Sequence, residues 1–294
     1  MIPPAQARFG IDHPLVTVKN HAQALQNYVR MGFSPSLVSY HPWGTVTSLM
    51  MFPNNFIELI GVDDATKFGT NSVNGFCFGR QLGSFLQRGE EGISLVALHS
   101  KNADDDYAEL TERGLSGQGR IDFRRKMTLP DGTPDEAVVS LGLLVDESKP
   151  DASNFICHQH KPELIWVPGW QNHPNGVDAI TAVTYLAAPE SLQDRWETFY
   201  PGKTSFLGNV LVADTGCGQL RAMDEDTLYS HYPGVALPSR EGKGPYGVAI
   251  TLHTSKPDDL RLILEHQNIP FTDLSDSIVV APEWTGNVIF EFTS

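Results

Sequence analysis

An α+β protein is the fold class this chain predicts: four βαβββ units arranged as two paired modules, each with curved mixed β-sheets enclosing a cavity. Three observations predict it. First, two blocks recur. Gly10-Ile11-Asp12-His13, then Leu15-Val16-Thr17-Val18, returns as Gly176-Val177-Asp178-Ala179, then Thr181-Ala182-Val183-Thr184. Leu98-His99-Ser100, with Asp104-Asp105, Leu110 and Leu115, returns as Leu252-His253-Thr254, with Asp258-Asp259, Leu264 and Ile269. Second, single helices alternate with runs of strands, which suits mixed or antiparallel sheets rather than a doubly wound one. Third, the second copy has Ala179 where the first has His13. That asymmetry is the pattern of one working site and one degenerate copy.

Unit A opens with a strand over Ile11–Val18, and Asn20 is placed as the cap of a helix whose Leu25, Tyr28 and Val29 fall at helical spacing before Gly32. Strands follow at Ser36–Tyr40, Val46–Phe52 and Phe56–Val62, the last two joined by a Pro53-Asn54-Asn55 turn. A connector, Asp63–Glu91, carries a short helix at Arg80–Gln87. Unit B has a strand at Ile93–His99, a helix at Ala103–Arg113 closed by Gly114, and strands at Arg120–Thr128, Val138–Val145 and Phe155–Trp166. Pro130-Asp131-Gly132 marks a turn between the first two of these. Pro168–Gly176 is turn-rich and sits at the expected boundary between residues 1–170, which hold the site, and residues 171–294, the degenerate pair.

The second half repeats the plan. Unit A′ has a strand ending at Leu186, a helix with Leu192, Trp196 and Phe199 on one stripe, and strands at Asn209–Asp214 and Gln219–Met223. Unit B′ has a strand at Val248–His253, a helix opening at Ser255-Lys256-Pro257-Asp258, and strands at Ser277–Ala281 and Asn287–Phe292.

Composition narrows the function. A net charge of -14 argues against nucleic acid and anionic membrane surfaces, which need clustered Lys and Arg. It leaves room for an anionic small substrate held by one buried Arg. Cys77, Cys157 and Cys217 are widely spaced, with no CxxC pair, so neither a disulfide framework nor a thiolate zinc site is indicated. Met1–Phe9 lacks the pattern of a signal peptide, and no apolar run reaches membrane-spanning length. A cytoplasmic protein is the expectation, with a homodimer compatible.

Several residues carry candidate chemistry. His13 lies in the first strand of unit A and Glu58 in its last, inside Phe56-Ile57-Glu58-Leu59-Ile60. A carboxylate in so apolar a run is costly to bury unless paired or metal-bound; a solvent-facing strand position is the plain alternative. Cys157-His158-Gln159-His160-Lys161-Pro162-Glu163-Leu164 is the densest ligand-like cluster, and in a strand His158 and His160 share a face. Imidazole and carboxylate together suit Fe, Mn, Ni or Zn. His41 and Trp43, in His41-Pro42-Trp43-Gly44-Thr45, suit a cavity rim as well as an ordinary turn. Arg125, within Arg124-Arg125-Lys126, can clamp a carboxylate if it points inward. His99 and His253 end matching strands in both copies, which favours a structural role.

The βαβββ plan, the His-in-first-strand and Glu-in-last-strand placement, and the motifs around His13, His41, Glu58 and His158 resemble the vicinal oxygen chelate superfamily. More narrowly, residues 10–175 look like its glyoxalase-like domain family. The resemblance implies two units packed as a pseudo-twofold pair around a cavity, with a divalent metal held from the first and last strands of each unit. His13 and Glu58 match unit A. In unit B the first strand offers Ile93 or Ser94 and the last offers His160 or Glu163. The metal ligands implied are His13, Glu58 and His160, with Glu163 as general base and His41, Trp43 and Arg125 on the substrate. Extradiol dioxygenases place their ligands in the second half, where this chain has Ala179. The implied activity is a metal-dependent lyase, isomerase or oxygenase acting on a small substrate with vicinal oxygens. The alternative is a metal-free protein that binds or sequesters a ligand.

Overall fold

The structure, a computed structural model, describes residues 7–240 and 244–294. Unit A contains β1 (Ile11–Thr17), α1 (His21–Arg30), β2 (Ser39–Tyr40), β3 (Thr45–Met51) and β4 (Phe56–Val62). The helix α2 (Phe78–Gln87) leads to unit B: β5 (Gly92–Ser100), α3 (Ala103–Glu112), β6 (Gly119–Thr128), β7 (Pro134–Leu144) and β8 (Asn154–Gln159). Unit A′ contains β9 (Val177–Leu186), α4 (Glu190–Phe199), β10 (Thr204–Leu207), β11 (Val210–Asp214) and β12 (Gln219–Met223), followed by α5 (Glu225–His231). Unit B′ contains β13 (Tyr246–Thr254), α6 (Pro257–His266), β14 (Phe271–Asp273), β15 (Ser277–Val280), α7 (Pro282–Thr285) and β16 (Ile289–Thr293).

All four units share one strand order: first, last, third, second. The helix after each first strand provides the long crossover that a parallel pair requires, and the hairpins then add antiparallel strands outward. β1 pairs antiparallel with β5, and β9 with β13, so each module is a pair of units about its first strands. The modules meet where Gly247 lies opposite Ile93. A Cβ at 247 would stand 2.8 Å from the Ile93 Cβ, so this approach needs glycine.

Alternation then sorts the side chains. On β1 and β4, His13, Leu15, Phe56, Glu58 and Ile60 face the concave side of the A/B module, while Val16, Ile57 and Leu59 join an outer core beneath the helices. That outer core runs on through both halves, from Phe9 and Tyr28 to Phe290 and Phe292. The concave side of the A′/B′ module is filled by Leu228 of α5 and by Tyr232, packed on Val248, Val279 and Ile289. Among the described residues, no helix is long and apolar enough to cross a membrane.

Some expected elements differ. The strand expected at Ser36–Tyr40 begins only at Ser39, because the Ser36 hydroxyl takes the Leu49 N–H, a bond that a strand carbonyl would otherwise accept. The strand expected at Phe155–Trp166 ends at Gln159. His160 N–H makes a last bond to the Val138 carbonyl; Pro162 then has no N–H to give, and a 3-10 turn runs over Pro162–Leu164. β10, β14, α5 and α7 are additions, each too short to show a periodic pattern in sequence.

Candidate functional site

One cavity in the A/B module collects most of the candidate residues. Its walls include His13, His41, Trp43, Phe56, Glu58, Phe78, Phe123, Arg125, Phe155, Cys157 and Gln159. The ring of His13 stacks on Phe56 with centroids 4.2 Å apart and meets Phe155 edge-on. Its Nδ1 lies 2.5 Å from Asp12 Oδ1, and its Nε2 lies 3.3 Å from Glu58 Oε2. The Thr47 hydroxyl donates to Glu58 Oε1 at 2.8 Å, and His41 Nε2 stands 3.7 Å from the same oxygen. Gly44 closes the turn that carries His41 and Trp43. At φ +81 its absent Cβ would fall 2.0 Å from the Asp64 carbonyl oxygen. The turn sets His41 flat against Trp43, with centroids 4.9 Å apart and Nδ1 3.0 Å from the Thr45 hydroxyl.

Charge alternates through the site. Burial disfavours ionisation of Glu58, yet the His13 hydrogen bond and the surrounding positive groups pull its carboxyl down to about 2. Burial would likewise depress His13, but its bonds to Asp12 and Glu58 hold it above the ordinary histidine value. Burial outweighs the attraction of Glu58 at His41 and takes it down to about 4, so its imidazole is neutral at pH 7. Behind His13, Asp12 Oδ2 lies 2.5 Å from His99 Nδ1, while His99 Nε2 faces the Asn54 carbonyl at 2.8 Å. Burial opposes the charge on His99; Asp12 overcomes it and raises the imidazolium to about 10. A chain of imidazole–carboxylate contacts thus runs from His99 through Asp12 and His13 to Glu58.

Arg125 enters from β6, 6% exposed, and donates through Nη1 to the Ser39 hydroxyl at 3.1 Å. Its Nε, the Trp43 Nε1 and the Gln159 Oε1 are buried without a hydrogen-bond partner. Unpaired polar atoms in an otherwise aromatic cavity are the groups a ligand would satisfy.

The cavity does not collect every candidate. Strand alternation sends Phe155, Cys157 and Gln159 inward, leaving His158 and His160 on the opposite face of β8. His160 is exposed, with Nε2 2.8 Å from the Ser140 hydroxyl and its ring 4.0 Å from that of His158. Glu163 is exposed on the 3-10 turn. Neither stands with His13 and Glu58. The unit-B ligand positions also move from those expected. A twofold through the Pro14–Val96 pair exchanges His13 with Leu95, and Leu15 with Ala97. Leu15 pairs with Glu58 and Ala97 with Phe155, so Leu95 and Phe155 occupy the unit-B ligand positions. His41 reaches the other oxygen of Glu58 rather than a point shared with His13. Among the described residues, no three His, Cys, Asp or Glu side chains converge on a metal position. Of the expected ligand set, His13 and Glu58 stand together, two donors where a catalytic metal ordinarily takes three protein ligands.

Asp12, Thr47 and Gln159 complete the site without having been marked as candidates. Asp12 stands beside His13 in sequence, but strand alternation gave no sign that it would reach across to His99.

A family model described as a glyoxalase-like domain matches residues 11–200. No curated protein matches the chain. Among solved structures, a hypothetical protein from Staphylococcus aureus superposes with a TM-score of 0.64 at 12% identity, over 96% of this chain and 98% of its own. A triple mutant of 4-hydroxymandelate synthase from Streptomyces coelicolor gives a TM-score of 0.57 at 10% identity, over 98% and 92%. At these identities the likeness is one of fold.

Proposed function

The chain belongs to the glyoxalase-like domain family, and from that premise we propose that it is an enzyme moving a proton on a small carbonyl-bearing carboxylate bound in the A/B cavity. One observation carries this reading: Glu58 is buried yet held ionised, against His13 and within the field of Arg125, inside an aromatic cavity. Perturbed acid–base pairs in closed apolar sites are characteristic of proton transfer, although structural ion pairs also produce them.

In this scheme the substrate carboxylate pairs with Arg125 and accepts from Trp43 Nε1–H. Docking an anion there offsets the positive field on Glu58 and raises its basicity. Glu58 removes a proton from the carbon next to the carbonyl, and the electron pair moves onto the carbonyl oxygen. The His13 Nε2–H, aligned by Asp12, stabilises that oxyanion. Return of a proton from Glu58 to that carbon regenerates the acid and restores the carboxylate; delivery to the neighbouring carbon of an enediolate, where the substrate carries a hydroxyl beside the carbonyl, gives an isomer.

The test is solvent deuterium exchange into enolisable 2-oxo acids, followed by proton NMR. The protein should accelerate exchange, and Glu58→Gln should lose on the order of 10²-fold or more of that acceleration while still binding the acid. Binding without exchange in the unaltered protein would favour the sequestering alternative.

A metal-dependent version of the reaction has one observation in its favour. Asp12 fixes His13 Nδ1 and leaves Nε2 facing Glu58, as carboxylates do behind metal-bound histidines. Elemental analysis of protein purified without chelators decides it. Stoichiometric Fe, Mn, Ni or Zn that disappears in His13→Ala would support a metal enzyme, and its absence after reconstitution would remove that version.

A further inference from the structure

The inner cavity has room for only a few atoms, about 40 Å³, whereas a single water molecule needs roughly 10–15 Å³. Outside it lies an open groove of about 1040 Å³. His41, Leu49 and Arg125 line both spaces, so the groove is the outward continuation of the cavity. Arg125 stands at the junction, buried, with its Nε unpartnered. Beyond it the groove wall presents Leu37, Val38 and Tyr40, which are 59%, 43% and 56% exposed. Large apolar side chains left this open close together mark a binding surface, unlike apolar residues scattered singly. Two acidic residues of the groove are already matched, Glu136 with Arg124 and Asp135 with Lys161.

We propose that the substrate is an elongated amphipathic acid whose carboxylate is held at Arg125 and whose apolar tail lies in the groove along Leu37, Val38 and Tyr40. This deepens the proton-transfer reading and rests on it for the position of the head group. The charge at the junction selects the head, and the apolar wall rewards tail length.

The experiment is a fluorescence titration, using Trp43 in the cavity and Trp170 in the groove as reporters, with butanoate, hexanoate, octanoate, decanoate and decanol. Each methylene that enters the groove should tighten binding about four-fold, which is about 0.8 kcal/mol. Decanol should bind at least ten-fold more weakly than decanoate, and Arg125→Gln should erase that difference. The double variant Leu37→Ser/Val38→Ser changes two open positions without adding charge, so its fold should persist. It should flatten the chain-length series, with decanoate losing more affinity than butanoate. Carboxylates that bind equally whatever their length would overturn the groove assignment and leave the proton-transfer reading standing. No binding of any acid by the unaltered protein would instead overturn the head-group site, and with it the proton-transfer reading. A dimer that forms through Leu37 and is not displaced by decanoate would give the groove to a second copy of the chain and overturn the proposal.

Discussion

Asp12 is the residue on which the site turns, because its two oxygens face two different histidines, His13 and His99. The second module has a His–Asp pair of its own, with His253 Nδ1 2.6 Å from Asp178 and both side chains partly exposed, but register sets Thr181 rather than Asp178 at the Asp12 position. The buried Asp12 that joins two histidines therefore belongs to the first module. Removing one member of a buried ion pair typically costs about 3–5 kcal/mol, so Asp12→Asn should lower the urea midpoint by a matching amount. A loss under 1 kcal/mol would mean that His99 carries no charge there. The pH dependence follows from the raised His99 value. Its protonation stabilises the fold fully below the ordinary histidine value of 6.5, and the contribution fades as pH climbs through about 10. Asp12 is shifted the other way, so its contribution holds above 3.8 and is lost only as pH falls toward its lowered value. Urea midpoints at pH 6.5 and pH 9.5 should therefore differ more in the unaltered protein than in Asp12→Asn. Parallel slopes would sink the assignment.

At the scale of strands and turns, the parts of the site that could be read in advance were those set by alternation within one strand. His13 and Glu58 sit in long apolar runs, and the two-residue period fixes their faces. Arg125 and Trp43 were open choices, because a basic run and a Pro-containing turn leave direction to the partners they meet. His160 and Glu163 illustrate the limit. A histidine-rich segment looks like ligands, but register decides the face, and the pairing of Ala97 with Phe155 puts Gln159, not His160, in the cavity. His160→Ala should therefore leave acid binding and deuterium exchange within two-fold of the unaltered protein; a ten-fold loss in either would put β8 out of register. The Gly44 turn makes the opposite prediction. Gly44→Ala drives a Cβ against the Asp64 carbonyl at positive φ and should cost more than 1 kcal/mol, with loss of acid binding as His41 and Trp43 shift. Unchanged binding would show that the turn does not position the site.

At the scale of the whole molecule, the two modules share a strand order but differ where the first has its cavity. Pairing places Glu291 of β16 opposite Thr251, as β8 places Phe155 opposite Ala97, so Glu291 keeps a ligand position. The Tyr232 hydroxyl donates to it at 3.2 Å and the Thr251 hydroxyl at 2.8 Å. Register corrects the counterpart of His13 from Ala179, as the repeated sequence suggests, to Ala182, which pairs with Thr251 as His13 pairs with Ala97. Tyr232 thus fills the side of the sheet that is open cavity in the first module. The second half nevertheless supports the first directly. Tyr28 donates to the Thr285 carbonyl, Asn55 bonds both backbone groups of Ile180, and Tyr200 donates to the Phe9 carbonyl. Phe33 packs on Phe290 and Phe292. Arg240, its side chain 2% exposed, reaches Asp151 and the Ile93 carbonyl and lies over Phe85 and Tyr246. A division at 170/171 into two independent domains predicts that residues 1–170 fold alone. The shared outer core predicts the reverse, because cutting there would expose Tyr28, Phe33 and Phe52 to water and leave polar bonds unmade. Residues 1–170 expressed alone should give poorly dispersed amide spectra and no cooperative thermal transition, while the full chain unfolds in one step. A folded, acid-binding 1–170 fragment would show instead that the second half is dispensable and that its buried contacts contribute little to the working site.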